Sequence, residues 1–514
     1  MQKIVEVQKS TISSYQLFDF GKAAYGTLEV ELSADFDHLV EVVIGESCAN
    51  GTILHEHGWR TFILNRINIR KGTHTYRFEI PDFIPAYSVY PYLATPLECG
   101  GEIAPFRYVE INHYYGEATV RRTVWYDDWN DSASHFESSD PELNKIWEFC
   151  KYSIKATNVF GCYIDGDRER QPYEGDAFIN QLGHFCCDSN YNTARNTIDF
   201  FEDHPTWPVE WRLLTPLLIR DYLYYSGDRA SVDRWLKWLP ERLLASLEVE
   251  NGLIAGNDKI RDIVDWPQEE RDGYVFGKIN FVPNAYRCGA LQAMYELTAD
   301  PKWLKQSQLL REQLRKSMWN NTLLPQDSPG ADHTAIHSAI FALYFGIANA
   351  EETQLLSDYL TQKGMICSVY CAQYYLEACA RYGSGKHLLQ CLTGYGERSW
   401  NNMLQKGSTI SMEGWGKNPM QDWTHAWGAA PANIIPRFIA GIRPTAPGFK
   451  TFLLDPTDAG LEHFTMKHPT PNGAIEVVYS KGNGYELTVP EGSAGIVGGK
   501  EFLPGRHHIA DMIF

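Results

Sequence analysis

The sequence predicts a mainly α protein with flanking β: an (α/α)6 barrel between an N-terminal β-sandwich or jelly roll and a small C-terminal β-sandwich. Three observations predict it. Residues 1–130 alternate apolar and polar side chains at period two, residues 131–438 carry apolar stripes at helical spacing, and residues 439–514 return to period two. Turn signals separate the strands at both ends, and no low-complexity segment interrupts the order.

In the first part, strands are expected from Thr27 to Leu32, His38 to Ile44, Thr61 to Ile69, Thr75 to Ile80, Phe106 to Ile111 and Glu117 to Trp125. The texture changes near Ser138. Asp140 has the side chain of an N-cap and Pro141 suits the first helical position. Leu143, Ile146, Trp147, Cys150 and Ile154 then make one buried stripe. Further helices are expected from Leu217 to Tyr225, Ser231 to Glu248, Asn284 to Thr298, Pro301 to Trp319, Thr334 to Ile347, Glu351 to Gln362 and Ser368 to Tyr382. Many are apolar on more than one side, as in a two-layer toroid. A solenoid is the rival, but no fixed repeat period is present. After Pro436, a Pro/Gly-rich connector (Gly441 to Lys450) leads to strands at Thr451 to Asp455, Ala474 to Ser480 and Gly484 to Val489. Lys481-Gly482-Asn483-Gly484 is a hairpin signal between the last two.

The net charge of −18 makes nucleic acid and anionic membrane surfaces poor partners. No run of 18 apolar residues exists to span a membrane. Eleven cysteines, an odd number with no CxxC pair, predict a reducing compartment and no disulfide framework. The first residues lack an apolar signal segment. Both features predict a cytoplasmic protein, or a periplasmic one if a leader has been trimmed. The oligomeric state, a homodimer included, stays open. Aromatics reach 13% of the chain, which tilts the reading toward carbohydrate, whose C–H faces stack on rings; a large core accounts for much of the same excess.

Three stretches concentrate chemistry. Residues 161–176 hold Asp165, Asp167, Glu169, Glu174 and Asp176 with Arg168 and Arg170, among Cys162, Tyr163, Ile164 and Tyr173. Sugar hydrolysis needs such acids, because one must be held protonated while another stays ionised. A structural salt-bridge loop is the alternative. In the second stretch Glu413 is the only acid between Glu397 and Asp422, and it sits beside Trp415 in a Gly-rich loop with His425 downstream. An isolated Glu among aromatics suits a base that activates water; an exposed loop acid is the bland reading, and His425 reads equally as a satisfied core residue. The third, Asp265-Trp266-Pro267, suits a loop at a barrel mouth, where Trp266 can stack on a sugar; a surface loop is the alternative. No cluster has metal-ligand spacing, so no metal or cofactor is assigned.

Asp165-Gly166-Asp167-Arg168-Glu169-Arg170 with Gly175-Asp176 resembles the signature loop of the inverting α-L-rhamnosidase family of glycoside hydrolases. The likeness continues through Asp265-Trp266-Pro267, Arg271-Asp272-Gly273, Ser408-Thr409, Glu413-Gly414-Trp415, His425-Ala426-Trp427 and the Gly441 to Lys450 connector, in the family's order. Phe106 to Ile111 resembles the end of its β domain. The resemblance implies Glu169 as general acid and Glu413 as general base. It implies Asp165, Arg168 and Asp176 as ligands of the sugar hydroxyls, with Tyr173, Asp265, Trp266, Trp415 and His425 around the same pocket. Tyr173 stands where the family usually has Trp, and the Asp165–Glu169 gap is one residue short, so either Asp165 or Asp167 is the sugar-binding acid. The implied reaction is removal of a terminal α-L-rhamnosyl residue by single displacement, with the two carboxyls ~6.5–9.5 Å apart. The implied partner is a rhamnose-containing glycan or glycoside. Another exo-glycosidase of this fold, glucosyl- or uronyl-specific, or an inactive carbohydrate-binding relative are the alternatives.

Overall fold

The fold is described from a computed structural model, for residues 1–55, 61–85, 91–319, 324–418 and 421–510. Two long strands, Gln2–Ala34 and Ala104–Tyr126, organise its N-terminal part. Ala104–Tyr126 pairs antiparallel with Gln2–Ala34 twice, first with residues 2–19 and again with residues 24–32. The two expected strands at Phe106 to Ile111 and Glu117 to Trp125 are therefore halves of one. Residues 108–112 lie between 15–19 and the strand His38–Gly45, whereas 118–124 lie between the two halves of Gln2–Ala34. The long strands thus pass from one layer to a second, turning at Gly21 (φ 82°) and His113 (φ 61°). Glycine meets the first of these turns without steric cost. Val30, Val42, Ile44, Val109, Ile111 and Val120 fill the space between the layers. Phe62–Ile69 and Gly72–Arg77 form the two edges.

The helical part begins with α1 (Pro141–Thr157), whose first turn is held by the Asp140 carboxylate accepting from the backbone N–H groups of Glu142 and Leu143 at 2.9 and 3.1 Å. There follow α2 (Glu174–Cys187), α3 (Asn192–Asp203), α4 (Val209–Ser226), α5 (Arg229–Trp235), α6 (Phe281–Thr298), α7 (Pro301–Met318), α8 (Ile336–Tyr344), α9 (Ala350–Lys363), α10 (Val369–Tyr382), α11 (Gly385–Thr393), α12 (Trp400–Gln405) and α13 (Pro431–Ile434). Burial sorts them into two rings. Every residue of α2 is buried, whereas α7 buries only Ser307, Leu310, Leu314 and Met318. The inner ring is α2, α4, α6, α8, α10 and the segment 426–439 that contains α13, each packed on the next and the last returning to α2. Amphipathic α1, α3, α5, α7, α9 and α11 lie outside. Among the described residues no helix is long and apolar enough to cross a membrane, and all eleven cysteines are free.

The helix expected from Ser231 to Glu248 stops at Trp235. Pro240 has no N–H to donate and Leu244 takes a φ of 53°, so the chain continues as short turns at Leu239–Leu243 and Ala245–Leu247.

The C-terminal part is two sheets. One is ordered Ile442–Pro444, Thr451–Leu454, Ala494–Val497, Lys500–Phe502; the other is ordered Gly505–Ile509, Gly484–Val489, Ile475–Ser480, His463–His468, His135–Ser138. The hairpin at Lys481 joins neighbouring antiparallel strands as expected. His135–Ser138 comes from the segment ahead of α1 and pairs with His463–His468. Its core is continuous with that of the helical rings.

At the end of the ring where the inner helices finish, Glu377 of α10 is fully buried against Arg437 and Arg381. Burial alone would raise its pKa, but the two guanidinium charges outweigh burial and hold it at about 2. A carboxyl with a depressed folded pKa stabilises the protein above its ordinary value of 4.5 and loses that contribution as pH falls toward 2. Glu377→Gln is expected to cost roughly 3–5 kcal/mol at neutral pH, because it leaves buried arginines uncompensated. In urea titrations the gap to wild type should shrink as the pH drops from about 4.5 to about 2; a gap independent of pH refutes this account.

Candidate active site

The loops that lead into the inner helices open at one end of the ring, around a cavity of about 460 Å³. Eight of the ten residues singled out in the sequence line it: Asp165, Arg168, Glu169, Tyr173, Asp176, Trp266, Glu413 and His425. Asp265 and Trp415 lie behind the wall. Asp265 is fully buried, with Oδ2 accepting from His337 Nε2 (2.7 Å) and the Ser368 N–H (2.9 Å), and Oδ1 accepting from the Trp266 N–H and the Ser368 hydroxyl. It holds the Trp266 loop onto the start of α10. The Trp415 indole donates to the carbonyl of Cys367 at 2.8 Å and packs edge-on against Trp400.

Trp427, named in the sequence only as part of a motif, and Trp207, Trp211, Gln171, Lys259, Arg261 and Ile263, which were not singled out there, complete the lining. One signal was available. Trp207-Pro208 repeats the Trp-Pro pair of Trp266-Pro267, and both pairs end at the mouth. Trp211 packs against the face of α2 at Gly175, where a Cβ would sit 2.7 Å from the indole ring.

Arg168 is the centre of the site. Its Nη1 and Nη2 donate to Oε2 and Oε1 of Glu413 at 2.7 and 3.0 Å, a two-pronged, charge-assisted contact. Its Nε lies 3.2 Å and its Nη2 3.1 Å from Oε1 of Glu169. Because Nη2 touches both Oε1 atoms, those two oxygens lie at most about 6 Å apart, closer than the ~6.5–9.5 Å expected between the carboxyls, since Arg168 draws both glutamates onto itself. The opposing charges keep Arg168 protonated despite burial, Glu413 contributing most and then Glu169.

Glu413 also accepts from the Asp422 N–H at 2.9 Å and from Trp266 Nε1 at 3.3 Å. Burial would raise its pKa; the charge of Arg168 outweighs burial and the Asp422 N–H adds to the effect, so the carboxyl is held below its ordinary value and ionised. Glu169 accepts the Tyr173 hydroxyl on its other oxygen at 2.7 Å.

The loop closes on itself across the short gap after Asp165. Asp165 and Gln171 close it with a backbone bond of 2.9 Å and an N–H to carboxyl bond of 3.0 Å, and Asp165 faces the cavity. Burial, reinforced by Glu169 and Asp176, drives its pKa well above the carboxylate range. Asp167 points the other way and is paired with Arg170 at 2.9 Å. Arg170 in turn reaches Glu102 (2.7 Å) and the Ile103 carbonyl (2.9 Å) of the N-terminal sheet part, and lies 4.0 Å over the Phe83 ring.

His425 Nε2 pairs with Asp176 at 2.8 Å. Burial lowers the His425 pKa to about 3, so the ring is neutral, and its Nδ1 is buried with no hydrogen-bond partner among the described residues. Asp265, His337 and Cys371 are the one group whose ligand atoms cluster, within 4.8 Å of one another, among the described residues. Asp265 is already saturated by N–H and O–H donors, and burial keeps the Cys371 thiol protonated.

A six-fold ring of inner and outer helices, with buried acids at the mouth where the inner helices begin, is the architecture of a six-hairpin glycosidase domain. The sequence profile of the bacterial alpha-L-rhamnosidase 6 hairpin glycosidase domain matches residues 131–439, and that of the bacterial alpha-L-rhamnosidase C-terminal domain matches residues 441–499. The chain belongs to this bacterial α-L-rhamnosidase family. Its fold is similar to that of a family GH78 rhamnosidase of Bacillus sp. GL1 (18% identity, TM-score 0.73, covering 94% of this chain and 54% of that one). It is similar also to the Streptomyces avermitilis α-L-rhamnosidase complexed with L-rhamnose (14%, 0.76, 96% and 50%) and to a Klebsiella oxytoca rhamnosidase with rhamnose bound (14%, 0.63, 83% and 88%). The chain spans about half the length of the first two. No curated protein matches in sequence.

Behind the site, Glu46 of the N-terminal part accepts from the Thr61 N–H (2.7 Å) and the Thr424 hydroxyl (2.5 Å). Burial, then the charge of Asp422, pushes its pKa to about 8. A raised folded pKa gives stability that is complete below the ordinary value of 4.5 and is lost as pH rises toward 8. Glu46→Gln removes that loss. The variant should gain stability relative to wild type between about pH 5 and pH 8 in chemical denaturation; parallel pH profiles for the two proteins are the opposing result.

Proposed function

We propose that this protein is a glycoside hydrolase that removes terminal α-L-rhamnosyl residues by single displacement with inversion. The observation that carries the reading is the placement of Glu169 and Glu413 in one cavity, on either side of the Arg168 guanidinium. Family membership and the two rhamnose-bound relatives supply the sugar. Glu169 donates a proton to the glycosidic oxygen, and Tyr173 fixes the orientation of its carboxyl. Glu413, held ionised by Arg168, takes a proton from water. The longest of its four contacts, to Trp266 Nε1 at 3.3 Å, is the one a water molecule most readily replaces. Asp165 and Asp176 hold the sugar hydroxyls, with His425 beside them in the lining. Tyr173, Trp211 and Trp266 form its walls, while Asp265 and Trp415 position the loops that carry them.

Glu169→Gln and Glu413→Gln should each lower kcat/KM on a rhamnosyl disaccharide by about 10²–10⁴-fold, with folding unchanged by circular dichroism. NMR of the first product should show the β anomer. Full activity in either variant removes the assignment, and an α-anomer product excludes inversion.

A further inference from the structure

The acids and the cations of the cavity are segregated by depth. Asp165, Asp176 and Glu413 are almost wholly buried, and Arg168 is committed to the glutamates. Lys259 and Arg261 line the same cavity but are exposed, so they stand at its mouth. Among the described residues neither makes an ion pair, although Asp258 is adjacent and Asp262 is engaged by Asn280 at 2.7 Å. Two cations without counter-ions at the entrance of a deep acidic cavity, in a chain of net charge −18, are not accounted for by the chemistry at its floor.

Their positions are built. Asn257 Oδ1 accepts from the N–H groups of Lys259 and Ile260, both at 2.9 Å, which fixes the turn. The Arg261 N–H donates to the Trp207 carbonyl at 3.3 Å, and its own carbonyl accepts from the Val209 N–H at 2.9 Å. Its guanidinium lies 4.7 Å over the Trp207 ring. The half-buried Trp207 ring and two positive charges therefore stand side by side at the mouth.

We propose that this mouth is the acceptor subsite and that it selects a uronic acid as the residue to which the terminal sugar is attached. The inference rests on the glycosidase reading above. The sugar at the floor meets Asp165, Asp176 and His425. The next ring outward lies against Trp207, and its carboxylate faces Lys259 and the planar fork of Arg261, which suits a carboxylate's two oxygens. The cations also offset the repulsion that the acidic protein exerts on an acidic glycan.

The test uses α-L-rhamnosyl disaccharides of D-glucuronic acid in (1→2), (1→3) and (1→4) linkage, each as the free acid and as its 6-methyl ester. Wild type should prefer acid over ester by about five- to tenfold in kcat/KM for at least one linkage, the size that two partly exposed charge contacts support. That ratio should fall toward one in a Lys259→Gln, Arg261→Gln double variant, and in wild type at high salt. A ratio at or below one for every linkage, or a ratio unchanged in the double variant, overturns the proposal and leaves the glycosidase reading intact. No turnover of any disaccharide, esters included, overturns the glycosidase reading and this proposal with it.

Discussion

Buried acids stitch the mouth of the barrel together. Most reach from one hairpin to backbone donors of another loop, while Asp327 and Glu413 close the loops they stand on. Glu174 accepts from the Thr206 N–H, Glu210 from the N–H groups of Ile263 and Val264, Asp265 from that of Ser368, Asp327 from that of Ala335, Glu413 from that of Asp422, and Asp422 from that of Arg168. The first N–H groups of a helix have no partner within it, and a loop buried beside them adds more. Each unmet donor would cost ~1–3 kcal/mol. Side chains long enough to cross between hairpins meet that need and fix the distance between loops at the same time. The site is thus assembled by contacts that are also the solution to a folding problem, and Glu413 and Asp422 serve both ends.

The N-terminal sheets belong to this arrangement. Arg170 carries the signature loop onto Glu102 and Phe83, and Glu46 meets Thr424 just beyond Asp422. Arg168 and Arg170, two residues apart, face opposite directions: one binds the two glutamates of the cavity, the other anchors the loop from behind. The density of charge in residues 161–176 is the sum of these two tasks.

Features that depend on near neighbours were legible in the sequence. The Asp140 cap, the Lys481 hairpin and the switch from period two to helical spacing are of this kind. The signature loop was legible because its acids lie close together, and the pairing of Glu169 with Glu413 came through resemblance. What could not be read depends on distant partners. Glu174 looks idle until Thr206 is placed beside it. Asp265 looks like a cavity acid until the start of α10 arrives to take its oxygens. Trp211 and Trp427 meet at the cavity from opposite ends of the helical domain, 6.3 Å between ring centroids, so their partnership has no local signal. The misjudged helix after Ser231 is a different case, in which Pro240 broke an apolar pattern that otherwise ran on.

The strand His135–Ser138 has a consequence for the order of events during synthesis. It emerges before α1, yet the strand it pairs with, His463–His468, follows α13. The inner ring has the same property, since α2 is closed by the segment 426–439. A chain leaving the ribosome must therefore hold an unpaired strand until more than 300 residues have followed, and an open ring until about 250 have, and contacts so far apart in sequence form slowly. Through most of its birth this protein exposes a strand edge and the apolar flank of α2, the surfaces on which a nascent chain meets chaperones or its neighbours.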